Sequence, residues 1–122
     1  MIKKILIITD SKHSYINSIQ QVLEEQEFKI LVAYSGMSGF NMARDIKPDL
    51  VLIDSMISGF NVYQICSLLK LDIKYEDVHV IIMTDKNDIK SRILISNSEA
   101  DGYLEKPIDF QMFIDRIRQL ED

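Results

Sequence analysis

One cysteine, two prolines, four glycines and no tryptophan set the first limits on this chain of 122 residues. The single thiol, Cys66, excludes an internal disulfide and any cysteine-rich metal site. With no export signal ahead of the first apolar segment, a cytoplasmic setting is expected. Cys66 falls within the apolar pattern of a helix, which reads as buried filler rather than a reactive thiol. No Gly/Ser-rich linker, repeat or low-complexity segment divides the chain, so residues 1–122 are expected to form one domain. No apolar run approaches the ~20 residues needed to span a bilayer, and no membrane contact is expected. Positive charge is the scarcer sign: 14 Lys and Arg face 19 Asp and Glu, a net −5. That balance disfavours sequence-independent attraction to nucleic acid, and no direct nucleic-acid contact is expected. His13 and His79 stand alone without ligand spacing and read as surface or strand-end residues. The six Met residues read as core filler.

What is present is ordinary for a globular domain: 47% hydrophobic and 27% charged residues. A fold of this size can bury roughly two-thirds of its unfolded surface. Pro48-Asp49-Leu50-Val51-Leu52-Ile53-Asp54 organises the chain. Its four consecutive apolar residues between carboxylates, after a helix-stopping proline, read as a strand buried on both faces. Lys4 to Ile8 is a second such strand, ending at Thr9-Asp10. Phe28 to Tyr34 alternates less cleanly and reads as a strand nearer the edge. Val78 to Met83 is the fourth, ending at Thr84-Asp85, and Tyr103-Leu104-Glu105 is a short fifth, followed by a Lys106-Pro107 turn.

Helices fill the intervals. Ser14 to about Gln26 carries Ile16, Ile19, Val22 and Leu23 on one stripe. Ser35-Gly36 opens a helix with Phe40, Met42, Ala43 and Ile46, closed by Pro48. Val62 to Leu71 presents Ile65, Cys66, Leu68 and Leu69. A more polar helix spans roughly Asp88 to Ser98, and Phe110 to Leu120 is the last. Lys86, Lys90 and Arg92 read as a solvated helix face, with an acidic partner surface as the alternative. Five strands alternating with five helices specify an α/β fold, a parallel sheet with right-handed crossovers and helices on both faces.

In such sheets chemistry collects at the carboxyl ends of the strands. That rim receives Thr9 and Asp10, Asp54, Thr84 and Lys106. Asp54 and Asp10 taken singly read as capping residues, Thr84 as an N-cap, Tyr103 as ordinary core and Lys106 as a surface lysine. Together they fit phosphoryl transfer to Asp54. Two carboxylates suit a hard divalent cation, and Mg²⁺ takes one or two carboxylates, backbone oxygen, water and phosphate oxygens. A cation and a lysine neutralise charge on the transferring group, and a threonine hydroxyl donates to it.

Four segments at this spacing resemble the receiver domain of bacterial two-component response regulators over the whole chain. They are Lys4 to Asp10, Pro48 to Asp54, Val80 to Thr84, and Ala100-Asp101-Gly102-Tyr103-Leu104-Glu105-Lys106-Pro107. The resemblance implies a flavodoxin-like (βα)5 sandwich with strand order 2-1-3-4-5. It implies that Asp54 is the phosphoacceptor, and that Asp10, Asp54 and the Met56 carbonyl hold Mg²⁺, with Thr9 acting through water. Thr84 is then the switch hydroxyl, Tyr103 the rotating aromatic, and Lys106 the phosphoryl-binding ammonium, aimed by a cis Lys106-Pro107 bond. The implied partners are a sensor histidine kinase or phosphotransfer protein, and a second copy through the face of the fourth helix, fifth strand and last helix.

The chain departs from the family pattern at Thr9, where a second acidic residue is usual, and at Ser58 and Asn61-Val62. It departs again at Asp85, where a small residue is usual. Loss of a carboxylate at position 9 implies weaker Mg²⁺ binding. Asp85 either repels a phosphoryl group or caps the next helix. The alternative function is a degenerate receiver that acts as a phosphorylation-independent interaction module. An aspartyl-phosphate phosphatase on a similar sheet needs an acid/base Asp two residues after the nucleophile, and that position is Met56. No enzyme in that sense is expected.

Overall fold

The computed structural model describes residues 1–10, 14–57 and 59–121. The readings of His13 and of Ser58 fall outside them. The elements run β1 Lys4–Ile8, α1 Ser14–Glu25, β2 Lys29–Ala33, α2 Gly36–Ile46, β3 Leu50–Asp54, α3 Val62–Lys70, a single 3₁₀ turn Ile73–Tyr75, β4 His79–Asp85, α4 Ile89–Ser96, β5 Gly102–Lys106 and α5 Phe110–Glu121. All strand pairs are parallel and the order is β2-β1-β3-β4-β5. This is the expected (βα)5 sandwich, with β2 at an edge.

Alternation along the strands divides the interior into two layers. Ile5, Ile7, Leu50, Leu52, Ile81 and Met83 pack with Ile16, Ile19 and Leu23 of α1 and Phe113 and Ile117 of α5. Leu6, Ile8, Val51, Ile53, Val80 and Ile82 pack with Ala43 of α2, Ile65, Cys66 and Leu69 of α3, and Ile95 of α4. Both faces of β3 are therefore covered, and Leu50, Val51, Leu52 and Ile53 are completely buried. Four large apolar side chains on each of β1, β3 and β4 drive this, since each contributes about 1.5–3 kcal/mol on burial.

The helix ends follow local chemistry. The Ser35 side chain accepts the Ser38 N–H and caps α2, and Asn61 does the same for α3 through Gln64. α2 stops at Lys47, which takes a left-handed conformation (φ 51°) with its N–H on Ala43 O. Pro48 bars a residue before it from the helical region. Gly39 has a packing reason, because a Cβ there would lie 2.6 Å from an Ile8 carbon. α2 rides that close to β1.

Several boundaries differ from the sequence reading. β2 is shorter than Phe28–Tyr34, since Glu27 (φ 70°) turns the chain before it and the Ser35 cap follows. β4 extends through Asp85 and β5 through Lys106, so both residues belong to strands. α4 is shorter than Asp88–Ser98, because Asp88 is its cap and Asn97 ends it. The turn at Ile73–Tyr75 was not anticipated. Leu68, placed on the buried stripe of α3, is 51% exposed, beside a cleft it shares with Phe40, Arg44 and Tyr75.

Cys66 is buried as expected. Burial pushes its thiol up to about 11, against the opposing Ser98 hydrogen bond and Lys70 charge. The fold thus favours the protonated thiol. Its contribution to stability is complete below the ordinary value of 9.0 and is lost as pH rises toward 11. Native protein at mildly alkaline pH should resist iodoacetamide at Cys66 and become alkylated after unfolding in urea. Equal labelling of the two forms would contradict the buried placement.

Candidate functional site

Strand order reverses between β1 and β3, because the crossover from β1 runs outward to β2 and the chain then returns to β3. The crevice at such a point is where open α/β sheets bind ligands. The register pairing Ile8 with Ile53 carries Thr9 and Asp10 to the same rim as Asp54. Asp54 is the last residue of β3 and only 3% exposed. Lys106 ends β5, two strands away, with Met83 of β4 paired to Asp54 and Asp85 paired to Lys106. The lysine side chain bridges the intervening strand and places Nζ 2.8 Å from Asp54 Oδ1 and 2.9 Å from Oδ2.

The loop after β3 is fixed by two bonds. The Ser55 N–H donates to Met83 O at 2.8 Å, and the Met56 N–H donates to Asp54 Oδ1 at 2.9 Å. The second bond wraps the backbone of residue 56 over the carboxylate. The lysine and the backbone N–H give the buried carboxylate charge-assisted hydrogen bonds, which hold its oxygens in place at the rim. The Lys106-Pro107 bond is cis.

Thr84 is fully buried, and its Oγ1 has no hydrogen-bond partner among the described residues. Such an orphaned hydroxyl at a strand end is a donor in waiting. Thr84 is therefore not an N-cap. That role belongs to Asp88, whose carboxylate accepts the Ser91 N–H and hydroxyl. Those bonds, the backbone one first, hold its carboxyl below the usual range. Asp85 is exposed and does not cap α4. Thr9 is fully buried and Asp10 is exposed.

Tyr103 stands opposite Ile82 in register and Glu105 opposite Thr84. Tyr103 is half-buried, at the edge of the layer beneath α4. It lines a cleft of about 460 Å³ with Lys86, Glu105, Lys106, Met112 and Arg116. Lys86 and Lys90 are exposed as expected. Arg92, with its side chain 40% exposed, is not simply solvated: it pairs with Glu105 and lies over the Tyr103 ring, 6.0 Å from its centroid. A solvated-face reading of α4 missed it. The alternation of charge, with Glu105 facing the same layer as Tyr103, was the available signal.

The donors at the rim suit Mg²⁺ by type: carboxylates on Asp10 and Asp54 and a carbonyl on a residue already bound to Asp54. Among the described residues, no three His, Cys, Asp or Glu side chains cluster so as to hold a metal alone. Backbone oxygen and water would have to complete a coordination shell. No described helix is long and apolar enough to cross a membrane.

An α/β sandwich with an acid at the end of β3 bridged to a lysine at the end of β5 defines a class, and the comparisons agree. The chain belongs to the response regulator receiver domain family, whose model matches residues 5–118. It is 30% identical over 94% of its length to the DNA-binding dual master transcriptional regulator RpaA of Synechocystis, and 30% identical over 93% to the DNA-binding response regulator MtrA of Mycobacterium tuberculosis. It spans about half of those relatives, 48% in each. Protein PilH of Pseudomonas aeruginosa is 32% identical, with 93% of both chains covered. Among solved structures, the receiver domain of a DNA-binding response regulator from Colwellia psychrerythraea superposes with a TM-score of 0.87, 29% identity and 98% of both chains. A putative response regulator from Chloroflexus aurantiacus gives 0.89 over 98% of both chains at 21% identity, which speaks to the fold.

Proposed function

We propose that this receiver domain, acting as one unit over residues 1–122, is a phosphoacceptor switch whose acceptor is Asp54. The observation that carries the reading is the buried Asp54 carboxylate, gripped through both oxygens by Lys106, with the orphaned Thr84 hydroxyl on the intervening strand one residue past the register partner of Asp54. An Asp54 oxygen attacks the phosphorus of a phosphohistidine on a sensor kinase or phosphotransfer protein. The P–N bond breaks, and the imidazole leaves with the electron pair and takes up a proton. Lys106, already at the carboxylate, follows the charge onto the phosphoryl oxygens, and Thr84 donates its O–H to one of them. The Met56 N–H keeps the carboxylate aimed. Mg²⁺ would be held by Asp10, Asp54 and the Met56 carbonyl, with Thr9 through water, and supplies neutralisation of the developing charge when bound.

Intact mass after incubation with acetyl phosphate and Mg²⁺ tests the reading. One added phosphoryl group is expected. Unmodified protein at saturating Mg²⁺ would instead support the phosphorylation-independent module, for which the non-acidic Thr9 is the specific argument.

Thr9→Asp is expected to bind Mg²⁺ more tightly, on the order of tenfold for ~1.4 kcal/mol of added attraction. Because position 9 is fully buried, the same variant should be less stable than wild type without Mg²⁺ and regain stability as Mg²⁺ is added. A titration showing unchanged affinity would place residue 9 away from the metal.

The output face comprises α4, β5 and α5, where a second copy of the chain is the proposed partner beside the phosphodonor. Thr84→Ala should still accept phosphate at Asp54 yet lose the coupled change at Tyr103, two residues along the same face of the adjoining strand. NMR of residues near Tyr103, with and without beryllofluoride, reads this directly. Wild-type shifts in the variant would remove the hydroxyl from the relay.

A further inference from the structure

α4 is packed the wrong way round for an ordinary amphipathic helix. Only Ser91 and Ile95 are buried, whereas Ile89 and Ile93 are 69% and 58% exposed. A helix held by its apolar stripe shows the reverse. Its attachments are largely polar. The Tyr63 hydroxyl of α3 donates to Ser91 Oγ at 3.0 Å, and Ser91 Oγ donates to Asp88 at 2.8 Å. Arg92 donates from Nη2 to Glu105 of β5, and its guanidinium covers the Tyr103 ring. Arg92 Nε is buried and has no hydrogen-bond partner among the described residues.

We propose that Arg92 is a latch, a positioning residue that holds α4 and Tyr103 in the resting arrangement. Its bond to Glu105 ties the helix to the strand position opposite Thr84, and its guanidinium blocks movement of the Tyr103 ring. The inference rests on the switch reading above and names a regulatory residue for it. A buried donor left without a partner costs free energy, so the resting arrangement satisfies Arg92 incompletely and is poised against another. When Thr84 turns toward a phosphoryl group, the strand position facing Glu105 changes and the latch releases. α4 follows because few apolar contacts retain it.

The test uses the full chain with Arg92→Ala, Glu105→Gln and the double variant. Glu105→Gln keeps the side chain's shape and guards against a packing defect from truncating Arg92. Without any phosphoryl donor, amide exchange across Ile89–Ser96 should rise about tenfold in each single variant, and the double should exchange no faster than the faster single. Amides of β1 and β3 should not change. Tyr103 resonances should move toward the positions that beryllofluoride and Mg²⁺ produce in wild type. Beryllofluoride should also bind Arg92→Ala severalfold more tightly, because it no longer has to release the latch. A merely structural role would loosen α4 and leave beryllofluoride binding unchanged or weaker, and that result overturns the proposal. Unchanged α4 exchange in both singles, or additive effects in the double, overturn it as well. A wild type blind to beryllofluoride overturns the phosphoacceptor reading instead, and exchange in α4 then decides the latch alone.

Discussion

Asp54→Asn is expected to take up no phosphoryl group under conditions that load the wild type, while keeping the fold. The amide is the same size as the carboxylate and retains an oxygen for the Met56 N–H, but it is not a nucleophile toward phosphorus. Lys106 loses the Asp54 charge, yet its side chain is 21% exposed and reaches water. The change in stability should therefore stay within about 1–2 kcal/mol, the range of an ordinary substitution. Intact mass reports the first result and urea denaturation the second. Residual uptake by Asp54→Asn would locate the acceptor elsewhere, with exposed Asp10 and Asp85 next in line.

Lys106→Met should produce the opposite pattern, a large loss of stability. Met fills the lysine's volume, but the Asp54 carboxylate, with 4% of its side chain exposed, then loses the ammonium that grips both its oxygens. Removing one partner of a buried pair costs about 3–5 kcal/mol, and the partial exposure of Lys106 points to the low end, about 3 kcal/mol. The same argument fixes the double variant. With Asp54→Asn present there is no charge to strand, so Lys106→Met should then cost little, and the cycle should show coupling of about 2 kcal/mol. Urea denaturation of all four proteins checks it. A Lys106→Met protein within about 1 kcal/mol of wild type would mean that water or another group solvates Asp54. Phosphoryl uptake should also slow by on the order of 100-fold, since one preorganised donor to the transferring group is gone.

How much of this was legible in the sequence follows from what each residue does. Leu50 to Ile53 announced a strand covered on both faces, and both faces are covered. Strand ends at Asp10, Asp54, Thr84 and Lys106 could be read because parallel topology sends every strand to the same rim. The pairing of Lys106 with both oxygens of Asp54 needed coordinates, since it depends on a side chain crossing β4. The 3₁₀ turn at Ile73–Tyr75 was hidden because Leu71 and Ile73 are apolar yet 73% and 81% exposed, so no period marks them. α4 was misjudged for a related reason. Its exposed isoleucines and buried Ser91 invert the pattern from which a helix face is read, and polar bonds to α3 and β5 replace the missing burial. Asp85 read equally as a cap, and only the bonds from Ser91 to Asp88 assign that role.

The most direct measurement is to locate the modified residue. Wild-type protein is loaded with acetyl phosphate and Mg²⁺, reduced with borohydride to convert an aspartyl phosphate to homoserine, and mapped by tandem mass spectrometry. The structure predicts homoserine at position 54 and at no other aspartate. Homoserine at Asp10 or Asp85, or none anywhere in loaded protein, would contradict the assignment of Asp54 as the phosphoacceptor.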